Sequence, residues 1–133
     1  MAISTIANKE YCGTQIMEVN GQEIELESID PSHKTNAKAV LTMNSKGRAL
    51  GSVCGINEYS LKIEVPVPVD QSQELNWRLV KNATITLYPQ CGSNGTRTIY
   101  TGVTVEEVSE KYGTNKAATR SLTCHALDMQ EIR

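Results

Sequence analysis

Phenylalanine is absent and tryptophan occurs once, so any core must rest on Val, Ile, Leu and Tyr. There is no surplus of positive charge. Thirteen Lys and Arg stand against 15 Asp and Glu, for a formal net charge of −2, and composition offers no basic footprint for gripping DNA or RNA. No apolar run is long enough to span a bilayer. The first residues, MAISTIANKEYCG, lack the basic start and sustained apolar stretch of a secretory signal. The expectation is a chain made in the cytoplasm that does not insert into membranes. The four cysteines, Cys12, Cys54, Cys91 and Cys124, contain no CxxC, which argues against a zinc ribbon or a thioredoxin-like motif. They read as reduced, buried thiols, or as disulfides formed once the protein has left a reducing compartment.

What is present is ordinary for a globular chain: 39% hydrophobic and 21% charged over 133 residues, a length that reads as one domain. The most informative stretch is 45–65. Gly47, Gly51 and Gly55 recur every fourth residue, as at bulges, bends or close backbone approaches. From Glu58 to Val65 the pattern becomes strict alternation, with Glu58, Ser60, Lys62 and Glu64 on one face and Tyr59, Leu61, Ile63 and Val65 on the other. That is the period of a half-buried strand, here expected to turn a corner between two sheets.

Asn20-Gly21 predicts a tight turn between strands 14–19 and 22–27. Residues 28–38, with Asp30-Pro31-Ser32, read as a long loop of the kind that carries function or a contact, and residues 1–13 as an N-terminal arm. A strand begins at Ala39. Asp70 with Gln73 makes a capping pattern for a helix over 71–81, with Leu75 and Leu79 on one face. Strands follow at 83–88, at 98–108 with a bulge near Glu106, and at 117–127. The fold class is α+β, mainly antiparallel β: a sandwich or small barrel carrying one helix.

Chemistry is scarce. His33 and His125 stand without a GxSxG or similar motif. Cys124 and His125 are neighbours on a strand and should face opposite ways. Gly92-Ser93-Asn94-Gly95 is not followed by a helix, so it is not a phosphate loop. Glu106-Glu107 reads as surface charge. No catalytic, cofactor or metal residues are assigned.

The runs GRALGSVCGINEYSLKIEV, LNWRLVKNATITLYP, TRTIYTGVTVEEV and AATRSLTCHALD resemble the tail tube proteins of contractile-tailed bacteriophages and their type VI secretion relatives. The resemblance spans about residues 13–128, as a pattern and not as a fixed motif. It implies a rolled antiparallel β-sandwich with a flanking helix and no enzymatic activity. It also implies six-membered rings stacked into a tube inside a contractile sheath, with DNA passing through the lumen. The expected partners are copies of the chain itself, the tail sheath protein, and baseplate and tail terminator proteins. The expected location is the virion tail, assembled in the bacterial cytoplasm. A secretion or pyocin-like tube and a monomeric β-sandwich binding module are the alternatives.

Three expectations follow. Strands 22–27 and 58–65 should contribute to a continuous sheet around the ring, whose closure removes free edges. A lumen that lets DNA slide should carry few phosphate-binding bases, so Glu23, Glu25, Glu27, Glu58 and Glu64 are candidates to line it, the alternative being that they face the sheath. At least one disulfide is expected to join neighbouring chains, through Cys12 in the arm or Cys91 beside a loop tip, rather than through Cys54 or Cys124 in sheet.

Overall fold

The structure, a computed structural model, describes residues 13–70, 74–91 and 96–132. In chain order its strands are β1 (Gln15–Val19), β2 (Gln22–Ile24), β3 (Ser28–Lys34), β4 (Lys38–Val40), β5 (Gly51–Val53), β6 (Glu58–Pro66), β7 (Ala83–Pro89), β8 (Arg97–Lys111), β9 (Thr119–Ala126) and β10 (Asp128–Ile132). Asn20 and Gly21 sit at φ 52° and 84°, the left-handed pair that a two-residue hairpin with the twist of its strands requires. The turn is stitched to β7: Asn20 N–H donates to Thr84 O at 2.8 Å, and Asn20 Oδ1 accepts from Thr84 N–H at 3.0 Å.

All pairings are antiparallel, in the order β2-β1-β7-β8-β9-β6-β3, with β10 also on β8. β8 is 15 residues long and serves two layers. Up to Val103 it pairs with β7 and β10, and from Thr104 onward with β9. β9 and β10 run along it as nearly one strand, broken only at Leu127, whose N–H donates to Thr101 O at 2.9 Å. The break sits opposite Gly102, at φ +66°, where a Cβ would lie 2.7 Å from Leu127 Cδ1. Register shifts at Ala83/Ile85 and Val105/Glu107 add curvature, as bulges do. The expected bulge near Glu106 is therefore present. The corner between layers lies in β8, and the glycines before β6 do other work.

The rolled sheet closes on one apolar core. Met17, Ile85 and Val103 from one layer meet Leu61, Ile63, Leu122 and Cys124 from the other, each fully buried. β6 alternates as its sequence predicts, with Leu61, Ile63 and Val65 inside and Glu58, Lys62 and Glu64 outside. β9 alternates over its whole length, and its inward positions are Arg120, Leu122, Cys124 and Ala126.

Two expectations are corrected. Residues 71–73 lie outside the described residues, and the described part of the predicted helix holds only a 3-10 turn, Trp77–Leu79. Asn76 and Val80 on either side are extended. Core burial of Trp77 and Val80 anchors the segment, while Leu79 is exposed, so tertiary packing overrides the local helical stripe. Residues 28–34 are not a loop but β3, paired with β6 from Ser28↔Glu64 to Lys34↔Glu58. Pro31 is tolerated because β3 is an edge strand, where a missing N–H can face away from the ladder. The long excursion starts instead at residue 35. Cys12 and all of the 1–13 arm except Gly13 lie outside the described residues.

Candidate assembly surfaces

Residues 35–57 leave the body between two paired strands and return to it. β4 and β5 pair only with each other among the described strands, in register Val40↔Gly51. The tip is ordered by Asn44. Its side-chain amide donates to Arg48 O at 2.5 Å, its Oδ1 accepts from Lys46 N–H at 3.0 Å, and its carbonyl accepts from Gly47 N–H at 3.1 Å. The root is pinned where Asn36 Nδ2 donates to Ile56 O at 2.7 Å. There Gly55 lies so close to Asn36 that a Cβ would sit 2.2 Å from its carbonyl oxygen. Close backbone approach, not a corner, is what this glycine provides.

Only Val40 in the arm is even half-buried. Leu41, Met43, Leu50, Val53 and Ile56 are all exposed, Met43 completely. An isolated two-stranded ribbon is marginal in water, and five large exposed apolar side chains on one short arm mark an interaction site. The arm also carries Lys38, Lys46 and Arg48 and no acidic residue. Sequence reasoning missed it, although a long acid-free connection inside an antiparallel pair was a readable sign.

The second surface is the outer face of β3, β6, β9 and the end of β8. Hydroxyls dominate it: Ser32 and Ser60 Oγ atoms are 2.6 Å apart, Ser28 Oγ donates to Glu64 Oε2 at 3.3 Å, and Ser121 and Thr123 continue the row. Opposite charges face each other across β3 and β6, as Asp30↔Lys62 and Lys34↔Glu58. The candidate glutamates do not all come together: Glu27 and Glu64 line one cleft with Lys111 and Ser121. Glu58 and Glu64 lie on this face, Glu23 sits opposite Glu18 on the β2 edge, and Glu25 and Glu27 lie in the link to β3.

His125 projects onto the same polar face, with Nδ1 2.7 Å from Glu106 Oε1, while Cys124 points into the core, so the two side chains diverge as expected. His33 stacks on Tyr59 with ring centroids 4.4 Å apart. Among the described residues no group of three or more His, Cys, Asp or Glu could hold a metal ion.

The third feature is a buried ion cluster that sequence reasoning did not find. Arg120 occupies an inward position of β9. Its Nε and Nη2 reach Glu74 at 2.6 and 3.1 Å, and its Nη1 reaches Glu110 Oε1 at 2.5 Å. Glu110 also accepts from Arg78 at 3.1 Å and from the Tyr112 hydroxyl. The cluster fastens the segment with the 3-10 turn across the ends of β8 and β9. The hydrogen bond from Tyr112, then that from Arg78, hold the Glu110 carboxyl below the usual carboxylate range. The available signal was an arginine in the apolar-facing register of β9.

The cysteines divide. Cys54 is an exposed thiol on the arm and Cys124 a buried one. Cys91, just past β7, is not among the free thiols. Burial, then Glu106, push the Cys124 thiol from its ordinary 9.0 up to about 11. The thiol is raised in the folded state. Its contribution to stability is therefore fully present below pH 9.0 and lost as pH rises through about 11. At pH 8 a maleimide is expected to label Cys54 at least about 100-fold faster than Cys124, because only the exposed thiol offers accessible thiolate. Mass mapping of labelled peptides checks this, and equal rates would contradict the burial.

No family model matches the chain, and no curated protein matches it by sequence. Solved structures do match. A chain of the anti-feeding prophage baseplate, 6-fold symmetrised, superposes with a TM-score of 0.68 at 14% identity, covering 89% of this chain and 90% of that one. A chain of the sheath-tube complex of an extracellular contractile injection system (PVC), in its extended state, gives 0.61 at 18% identity with 99% of both chains covered. A chain of the virion of a native gene transfer agent gives 0.65 at 12% identity, covering 90% and 95%. The fold is thus the rolled β-sandwich of tail tube and injection-tube proteins, with the 3-10 turn where a helix was expected.

Proposed function

We propose that this chain is a structural subunit, without enzymatic activity, of a contractile tail or injection tube. In this reading it closes hexameric rings that stack inside a sheath around a DNA-conducting channel. The observation that carries the reading is the exposed, apolar and basic arm at 35–57 on a body whose fold is shared, over nearly all its length, with a chain of a sheath-tube complex. An arm that cannot be stable alone in water needs a covering partner, and a second copy supplies one at every step of a stack.

The hydroxyl-rich face of β3, β6, β9 and β8 is the best candidate for the channel wall. Its acids Asp30, Glu58, Glu64, Glu106 and Glu107 outnumber the bases Lys34, Lys62 and Lys111. A wall with an excess of acid lets DNA slide, because tight phosphate contact needs an excess of bases. Glu58 and Glu64, with Glu27 beside Glu64, keep their proposed place at the lumen, whereas Glu23 and Glu25 are better placed outside it. A disulfide at Cys91 fits closure within the same chain better than a link to a neighbour. The β1/β7 ladder runs on through Gln90 N–H donating to Thr14 O at 3.0 Å, which brings residue 91 beside the start of β1.

Gel filtration followed by negative-stain microscopy tests the assembly. Rings or rods with a central channel are expected, and a monomer at every concentration would leave a solitary binding module. Non-reducing gels of the rods should show monomer, and a reductant-sensitive ladder would place the bond between chains.

A further inference from the structure

Between β2 and the segment that follows β6 lies a groove that the proposed assembly has not yet used. Its floor is apolar: Ile24, Val65, Leu75 and Trp77, with Pro66 and Pro68 along one side. Its rim carries Glu23, Glu25 and Glu74, and among the described residues no Lys or Arg lines it. Glu74 is committed to Arg120, which leaves Glu23 and Glu25, both exposed, to set the charge of the opening. β2 forms its wall and is the terminal strand of the sheet order among the described strands, the position at which a further strand can pair.

We infer that this groove is the receptor for the 35–57 arm of another copy of the chain. The two surfaces match in kind. The arm offers exposed Leu41, Met43 and Leu50 with Lys38, Lys46 and Arg48 and no acid. The groove offers an apolar floor with a carboxylate rim and no base. The remaining body supports the same polarity: with 3 of the 13 bases in the arm, 10 remain against 15 acids. Complementary potentials of this sort steer partners and fix register.

The chain's own arm does not fill the groove: no residue of 35–57 lines it, and Leu41, Met43 and Leu50 are exposed. The arm is rooted where Lys34 faces Glu58, at one end of β6. The groove lies beside Val65 and Pro66, at the other end, roughly 20 Å along the strand. Donor and receptor at opposite ends of one strand make a head-to-tail contact, the kind that propagates as a stack instead of closing a two-fold dimer.

The inference rests on the tube reading, and charge reversal separates the two. Lys38→Glu, Lys46→Glu and Arg48→Glu together, or Glu23→Lys and Glu25→Lys together, are each expected to reduce the sedimentable assembly about tenfold or more through like-charge contact. All five together should restore it to near the unsubstituted level. These side chains are exposed, so circular dichroism of every variant should match the parent. A second measurement uses the native thiol of the arm: with Glu25→Cys, a short bis-maleimide should join Cys54 to residue 25 of another chain and give a ladder on reducing gels. If the parent forms rods but the five-fold variant stays dispersed and no ladder appears, the groove is not the receptor and the tube reading stands. If the parent forms no assembly at all, the tube reading falls, and this inference with it.

Discussion

Arg120→Met is expected to lower the stability of the isolated subunit by about 3 kcal/mol, read as a fall of roughly 10 °C in thermal midpoint. The Arg120 side chain is 9% exposed, and it gives two hydrogen bonds to a carboxylate, Glu74, that is itself only 12% exposed. Methionine fills much of the volume but leaves Glu74 buried without its cation, and an unpaired buried charge costs more than the pair contributed. Glu110 suffers less, since Arg78 and Tyr112 still reach it, which is why the lower end of the usual range applies. Adding Glu74→Leu should recover most of the loss, because an apolar pair avoids the desolvation that the ions incur. Melting curves of the three proteins decide it, and an unchanged midpoint for Arg120→Met would show the cluster to be ornamental. The pH dependence has a definite sign. Glu110 is depressed in the fold, so its contribution is present above the ordinary carboxylate range and lost as pH falls through its folded value.

Replacing residues 41–50 by Asn-Gly should abolish rods while leaving the body intact. Val40 faces Gly51 across the β4/β5 pair, so a two-residue turn can close the shortened hairpin with natural geometry. The cut removes Leu41, Met43 and Leu50, none of which belongs to the core, and the thermal midpoint should move by no more than about 2 °C. The change in assembly should be far larger, because apolar contact area and two bases, Lys46 and Arg48, go together. Electron microscopy and sedimentation read it directly. Rods of normal abundance from the shortened chain would remove the arm from any account of assembly.

Where local chemistry and tertiary packing agreed, the sequence was readable. Asn20-Gly21 can make one kind of turn cheaply, and β6 has only one amphipathic period. Where they disagreed, it misled. Asp70 and Gln73 form a helix-capping pattern, yet the core takes Trp77 and Val80 and leaves Leu79 in water, which a helix with a Leu75/Leu79 stripe cannot do. Pro31 reads as a strand breaker until its strand is known to be an edge, and edges are decided by residues far away in sequence. The glycines at 51 and 55 fit a corner and an arm equally well, since both need backbone freedom. The partners of Arg120 lie 46 and 10 residues away, too far for any window of local pattern to join them. Of the proposed surfaces, the charged alternation of β6 could be read directly, but the groove could not, because β2 and the segment after β6 meet only through the sheet.

The double service of β8 also bears on how the chain matures during synthesis. β6 gains one neighbour, β3, as soon as it emerges from the ribosome. Its other neighbour, β9, begins only at Thr119, and the strand that joins the two layers is made late as well. Pairings of such long sequence separation form slowly, after the local hairpins. For most of translation, then, the arm is already made while the groove that would receive it is incomplete, lacking the Arg120 clasp on Glu74. A nascent chain can therefore receive no other until its last strands are in place, although its own arm is already made. In the assembly proposed above, completion of the polypeptide is thus what lets a subunit take the next copy, and growth halts at a half-made one.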